Sequence, residues 1–192
     1  MKPLAALRFP RTAFLLVLTL VVFGCQPQDR KPSHGGIETL YGYPRGLIAA
    51  VDEPAPDFTF TTVTGERQRL SDLEGKVVLL NFWATWCAPC LAEIPDLMAL
   101  QEEFGADDFV VLGVSVDNLP EEDIRAFAET FALNYPIVLD KGPISEAYGG
   151  AYSLPTTFVI DRSGQIRQRV IGIFPVETER ANLEALLNAQ PG

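Results

Sequence analysis

Apolar residues recur along this chain at two spacings. The run Val77-Val78-Leu79-Leu80-Asn81-Phe82-Trp83 is nearly continuous, which fits a strand covered on both faces of a sheet. Phe109 to Val116 reads the same way. Between them, Cys87 to Phe104 has a helical pattern: Ile94, Leu97, Met98 and Leu100 to Phe104 supply an apolar face, and Pro95 kinks it. Asn118 to Phe131 is a second, amphipathic helix, with Ile124, Phe127, Ala128 and Phe131 on one stripe. Pro120 and the acids at 121 to 123 suit its N-terminus.

The remaining pattern is shorter. Phe58 and Phe60 alternate with threonines, Thr64-Gly65-Glu66 turns, and Gln68 to Leu70 returns as the second strand of a hairpin. Ser71 to Gly75 is a helical turn, Ile137 to Leu139 a short strand and Ile144 to Tyr148 a short helix. Thr156 to Asp161 and Gln165 to Ile171 form a hairpin around Arg162-Ser163-Gly164. Thr178 to Ala189 closes the chain as a helix that turns Leu183, Leu186 and Leu187 inward. Strands alternating with helices, then a hairpin and a last helix, predict an α/β fold with a central mixed sheet flanked by helices.

Composition adds one domain of ordinary size plus an appendage: 192 residues, 47% hydrophobic and 21% charged. The net charge of −10 opposes general binding to nucleic acid, and none is expected as a partner. The appendage is N-terminal. Lys2, Arg8 and Arg11 precede an apolar stretch, Ala13 to Phe23. As a helix it would span about 18 Å, short of the roughly 30 Å bilayer core, and so reads as a signal peptide. Val22-Phe23-Gly24-Cys25 resembles a bacterial lipobox, which makes Cys25 the candidate lipid-attachment residue and an uncleaved anchor the alternative. Residues 26–53, rich in breakers from Gln26 to Gly36, read as a tether. The folded domain is placed at 54–192.

Trp86-Cys87-Ala88-Pro89-Cys90 carries the chemistry. A strand delivers the first thiol to a helix start, where unpaired N–H groups and a partial positive charge favour a thiolate. The second thiol lies one turn on, placed to resolve a mixed disulfide. With Cys25 at the lipobox, only one pair remains, so no structural disulfide framework exists.

Asn81 to Cys90, followed by Glu93-Ile94-Pro95 and, further on, Leu154-Pro155-Thr156-Thr157-Phe158-Val159-Ile160-Asp161, resembles the membrane-tethered TlpA/ResA-type thioredoxins of bacteria. The resemblance covers about residues 54 to 189. It implies a thioredoxin fold with an N-terminal β-hairpin and an inserted strand–helix element within Phe109 to Tyr148. Cys87 would be the exposed nucleophile, Cys90 the buried resolving thiol and Pro155 a cis-proline facing them. Trp86, Ala88, Pro89, Leu154 and Pro155 would line the substrate surface. Glu93 matches a glutamate near the redox pair in ResA-type proteins, and Asn81 stands where ordinary thioredoxins carry a buried aspartate. The expected activity is thiol:disulfide exchange, as a reductant of protein disulfides in an extracytoplasmic space, for example in cytochrome c maturation. The partners implied are a protein disulfide or dithiol, a membrane electron-donor protein, and the membrane itself. No cofactor beyond the Cys87–Cys90 pair is expected.

Three other readings compete. Structural zinc needs four ligands, and besides the pair the chain offers only Cys25 and His34. A peroxiredoxin shares the fold, but it places a Thr or Ser three residues before its cysteine, where this chain has Ala84. A non-catalytic module could hold Cu(I) on the two thiolates, without a Met- or His-rich segment to assist.

Overall fold

The computed structural model describes residues 39–40, 43–44, 46–150 and 153–189. The signal segment, Cys25 and His34 lie outside them. The strands are β1 (Thr39–Leu40), β2 (Tyr43–Pro44), β3 (Leu47–Pro54), β4 (Thr59–Thr61) and β5 (Arg67–Arg69), followed by a 3-10 turn at Leu70–Leu73 and β6 (Val77–Trp83). Helix α1 (Ala88–Phe104), β7 (Phe109–Ser115), α2 (Glu121–Thr130), β8 (Ile137–Leu139) and α3 (Pro143–Ala147) come next. β9 (Thr156–Ile160), β10 (Gln165–Ile171) and α4 (Val176–Asn188) complete the chain.

Six strands form one mixed sheet in the order β3-β10-β9-β6-β7-β8. β6 runs parallel to β7, β7 parallel to β8, and the other pairs are antiparallel. All seven residues of β6 and of β7 are buried, as continuous apolar runs require. Alternate residues of β6 feed two cores. Val77, Leu79 and Trp83 face Ile94, Leu97 and Leu100 of α1, Ile124 of α2 and Leu183 of α4. Val78, Leu80 and Phe82 face Phe60, Leu70, Tyr148 and Phe158. Each fully buried large apolar side chain contributes about 1.5–3 kcal/mol, so β6 is the strand the fold can least lose. The β4–β5 hairpin forms where the sequence puts it, as a two-stranded sheet of its own.

One boundary is corrected. Residues 47–53, which the sequence reading puts in the tether, belong to β3, the edge strand paired with β10 from Leu47↔Ile171 to Pro54↔Gln165. The folded region therefore begins before Pro54. Only Val51 is even half-buried in this strand, so the alternation that marks a strand never appears in its sequence. Its pairing depends on a partner remote in sequence: Arg167 reaches back 115 residues to Asp52, at 2.6 Å.

Candidate active site

β6 ends at Trp83, and the chain turns into α1 with the Cys87 N–H donating to the Ala84 carbonyl at 3.1 Å. Cys87 is the N-cap of α1: its backbone is extended, and its sulfur accepts from the Cys90 N–H at 3.3 Å. Proline in the first turn lacks the N–H that would go unpaired there. At the other end Gly105 takes φ 72°, a conformation that closes helices at little cost only for glycine. α1 continues through Pro95.

Cys87 and Cys90 are joined in a disulfide with Cα atoms 5.2 Å apart. Cys87 is 5% exposed and Cys90 1%. Cys87, which the resemblance implies to be the exposed nucleophile, is thus covered in this disulfide form, where its sulfur is bonded to Cys90 and accepts from the Cys90 N–H. Cys87 remains the less covered of the two. Trp86 beside it is 71% exposed, Ala88 is exposed and Pro89 half-buried. Trp83, by contrast, is buried and packs on Phe127 with ring centroids 5.3 Å apart, a core residue.

The Leu154–Pro155 bond is cis. Pro155 is buried and its carbonyl accepts from the Gly172 N–H at 2.8 Å. Leu154 is half-buried and packs on the core that contains Cys87 and Cys90. The redox turn and the Pro155 loop, more than sixty positions apart in the chain, therefore meet over one core.

Glu93 lies one turn beyond Cys90 and is 1% exposed. Its Oε1 accepts from Asn81 Nδ2 at 2.8 Å and its Oε2 from the Phe174 N–H at 2.8 Å. Asn81 Nδ2 also donates to Thr157 Oγ1 at 3.0 Å. Burial pushes the Glu93 carboxyl up from 4.5 to about 8; the two donors pull it down and the Asp96 charge pushes it up further. The same buried environment raises the Tyr135 hydroxyl, with Glu93 adding to the effect.

A second buried carboxylate, not among the residues expected from the sequence, is bonded to the turn two residues before Cys87. Asp117, 2% exposed, follows β7 and accepts from the Thr85 hydroxyl at 2.7 Å, the Thr85 N–H at 3.0 Å and the Ser115 hydroxyl at 2.8 Å. An acidic residue directly after the carboxyl end of a central parallel strand was the available signal, since ligand and catalytic groups gather at that end. Thr157 and the Phe174 N–H carried no signal at all. Among the described residues no cluster of three or more potential metal ligands occurs.

A profile of the AhpC/TSA family matches residues 51–169. Thiol-disulfide oxidoreductase ResA of Geobacillus kaustophilus is 40% identical over 179 residues, 92% of this chain and 94% of that one. The chain belongs to the AhpC/TSA family and is a ResA-type thiol-disulfide oxidoreductase. Thioredoxin-like protein YneN of Bacillus subtilis is 43% identical over 122 residues, 62% of this chain and 71% of that one. The exposed lipoprotein thioredoxin Etrx1 of Streptococcus pneumoniae superposes with a TM-score of 0.61 at 34% identity, over 68% of this chain and all of that one. The fold is the thioredoxin fold that the resemblance implies. Within this family the peroxidase arrangement still lacks its threonine: Ala84 stands three residues before Cys87, and the hydroxyl of Thr85 is directed at Asp117.

Proposed function

We propose that this ResA-type oxidoreductase works as a reductant of protein disulfides, outside the cytoplasm and tethered to a membrane through lipidated Cys25. The observation that carries the reading is the Cys87–Cys90 disulfide at a helix N-terminus with a buried carboxyl, Glu93, one turn beyond it. A carboxyl that titrates near 8 can take or release a proton at neutral pH, as thiol exchange requires.

In the working direction both cysteines are reduced. The Cys87 thiolate attacks one sulfur of a substrate disulfide, forming a mixed disulfide and releasing the other substrate sulfur as a thiolate. The Cys90 thiolate then attacks Cys87 Sγ, and the second substrate sulfur leaves. Two electrons pass to the substrate, two protons end on its thiols, and the chain is left as the disulfide form. Glu93 acts as proton holder for Cys90, the role Asn81 cannot fill because an amide does not accept a proton. Trp86, Ala88, Pro89, Leu154 and Pro155 form the surface on which the substrate chain lies. A membrane electron-donor protein restores the dithiol.

The reductant reading and a place in cytochrome c maturation are supported by the ResA relatives, and the anchored reading by the lipobox at Cys25 and by the lipoprotein name of the pneumococcal structure. Among the described residues no helix is long and apolar enough to cross a membrane. Expression of Cys90→Ser in intact cells should trap substrates as mixed disulfides on Cys87. Mature protein should begin at a lipidated Cys25; an intact Met1 in the mass spectrum would remove the lipoprotein, and absence of any Cys87-dependent adduct would remove the reductant.

A further inference from the structure

Asp117 has no part in the steps above, yet it is built into the redox turn. The bonds that the Thr85 hydroxyl, the Thr85 N–H and the Ser115 hydroxyl make to it all run toward its carboxylate, and the Ser115 oxygen in turn accepts from the Asp117 N–H at 3.2 Å. Such a set of donors fits an ionised, acceptor-only group. Thr85 is two residues before Cys87, at most about 7 Å along the chain. The carboxylate charge is therefore held at a fixed place on the order of 10 Å from the Cys87 sulfur, and buried charges at that range escape most salt screening.

We propose that Asp117 is a positioning residue of the redox site: it fixes the Thr85-Trp86 turn in front of Cys87 and, through its charge, biases the pair toward the reducing direction. The inference rests on the exchange activity and deepens the reductant reading. The N-terminus of α1 stabilises a thiolate on Cys87; a fixed anion held against Thr85, two residues before it, destabilises the same thiolate. A less stable thiolate means a less stable reduced form, and so a pair that gives up its electrons more readily. The hydrogen bonds of Glu93 come from Asn81 and Phe174 and those of Asp117 from Thr85 and Ser115, so the two carboxyl groups are held by separate partners.

The test is the exchange equilibrium with glutathione, in which one protein disulfide and two glutathione thiols give a protein dithiol and one glutathione disulfide. Asp117→Asn keeps the shape and the oxygen that accepts from the Thr85 N–H and the Ser115 hydroxyl, while the Thr85 hydroxyl turns to accept from the amide. We expect it to move the equilibrium toward the dithiol by about three- to tenfold, up to about 30 mV at ~30 mV per tenfold, and to lower the titration midpoint of the Cys87 thiol. Thr85→Val, which keeps the charge, should move both much less. An Asp117→Asn protein that melts earlier but poises at the wild-type equilibrium, or poises toward the disulfide, overturns the proposal. A wild-type protein that poises as a strong oxidant overturns the reductant reading instead, whatever Asp117→Asn does to the difference.

Discussion

Replacing Glu93 by glutamine tests the proton chemistry of the site through the stability of the fold. The native carboxyl titrates near 8 against an ordinary 4.5, because its burial outweighs the bonds from Asn81 and Phe174. Between those two values the folded chain holds a proton that the unfolded chain has released. The contribution of the neutral acid is therefore fully present below about 4.5, is lost as pH rises, and levels off above about 8. At about 1.4 kcal/mol per pH unit, the loss across that window is at most about 5 kcal/mol. Glutamine has no such proton and can still satisfy the pocket. Its oxygen accepts from the Phe174 N–H, and its amide donates to Asn81 once that side chain turns its oxygen inward, where the Thr157 hydroxyl can donate as well. The assay is urea unfolding of the oxidised protein from about pH 5 to about pH 9. Wild type should lose several kcal/mol more than Glu93→Gln over that range, with the other titrating groups cancelling in the difference. Curves that stay parallel within about 0.5 kcal/mol would refute the buried proton, and with it the role given to Glu93.

Other outcomes follow from the same geometry. Trp86→Ala removes a side chain that is 71% exposed; it should change stability by less than about 0.5 kcal/mol yet slow exchange with protein disulfides far more than with glutathione, measured by stopped flow. Gly113→Ala would bring a Cβ within 2.7 Å of Ile137 Cδ1 and 3.2 Å of both Trp83 Nε1 and Tyr135 Cε2. Overpacking of that kind costs about 1–3 kcal/mol, readable as a lowered urea midpoint. A chain starting at Pro54 loses β3 and bares the edge of β10, and should sediment as aggregates, whereas one starting at Ile37 should stay monodisperse.

Much of the fold was legible because its signals are local. The continuous apolar runs of β6 and β7 marked the sheet centre, and the stripe through Ile124 and Phe127 marked α2. β3 was missed because an edge strand exposed on both faces has no period to read. At the site, the spacing of Cys87 and Cys90 marked the pair that the structure joins in a disulfide, and the resemblance pointed to Leu154-Pro155, whose peptide bond is cis. Both were readable because each lies within one short stretch of chain that carries a motif.

What joins those stretches was decided elsewhere. The raised pK of Glu93 on α1 comes from its burial, opposed by donors from Asn81 of β6 and the Phe174 N–H beyond β10, and these three segments share no common pattern. Asp117 meets Thr85 across 32 positions only because β7 lies parallel to β6. Sequence alone thus determined which thiols pair, since two cysteines one helical turn apart are a local fact. The proton and charge environment that sets the direction of exchange came from tertiary structure, because desolvation and hydrogen bonding are properties of whatever the folded chain packs around a group.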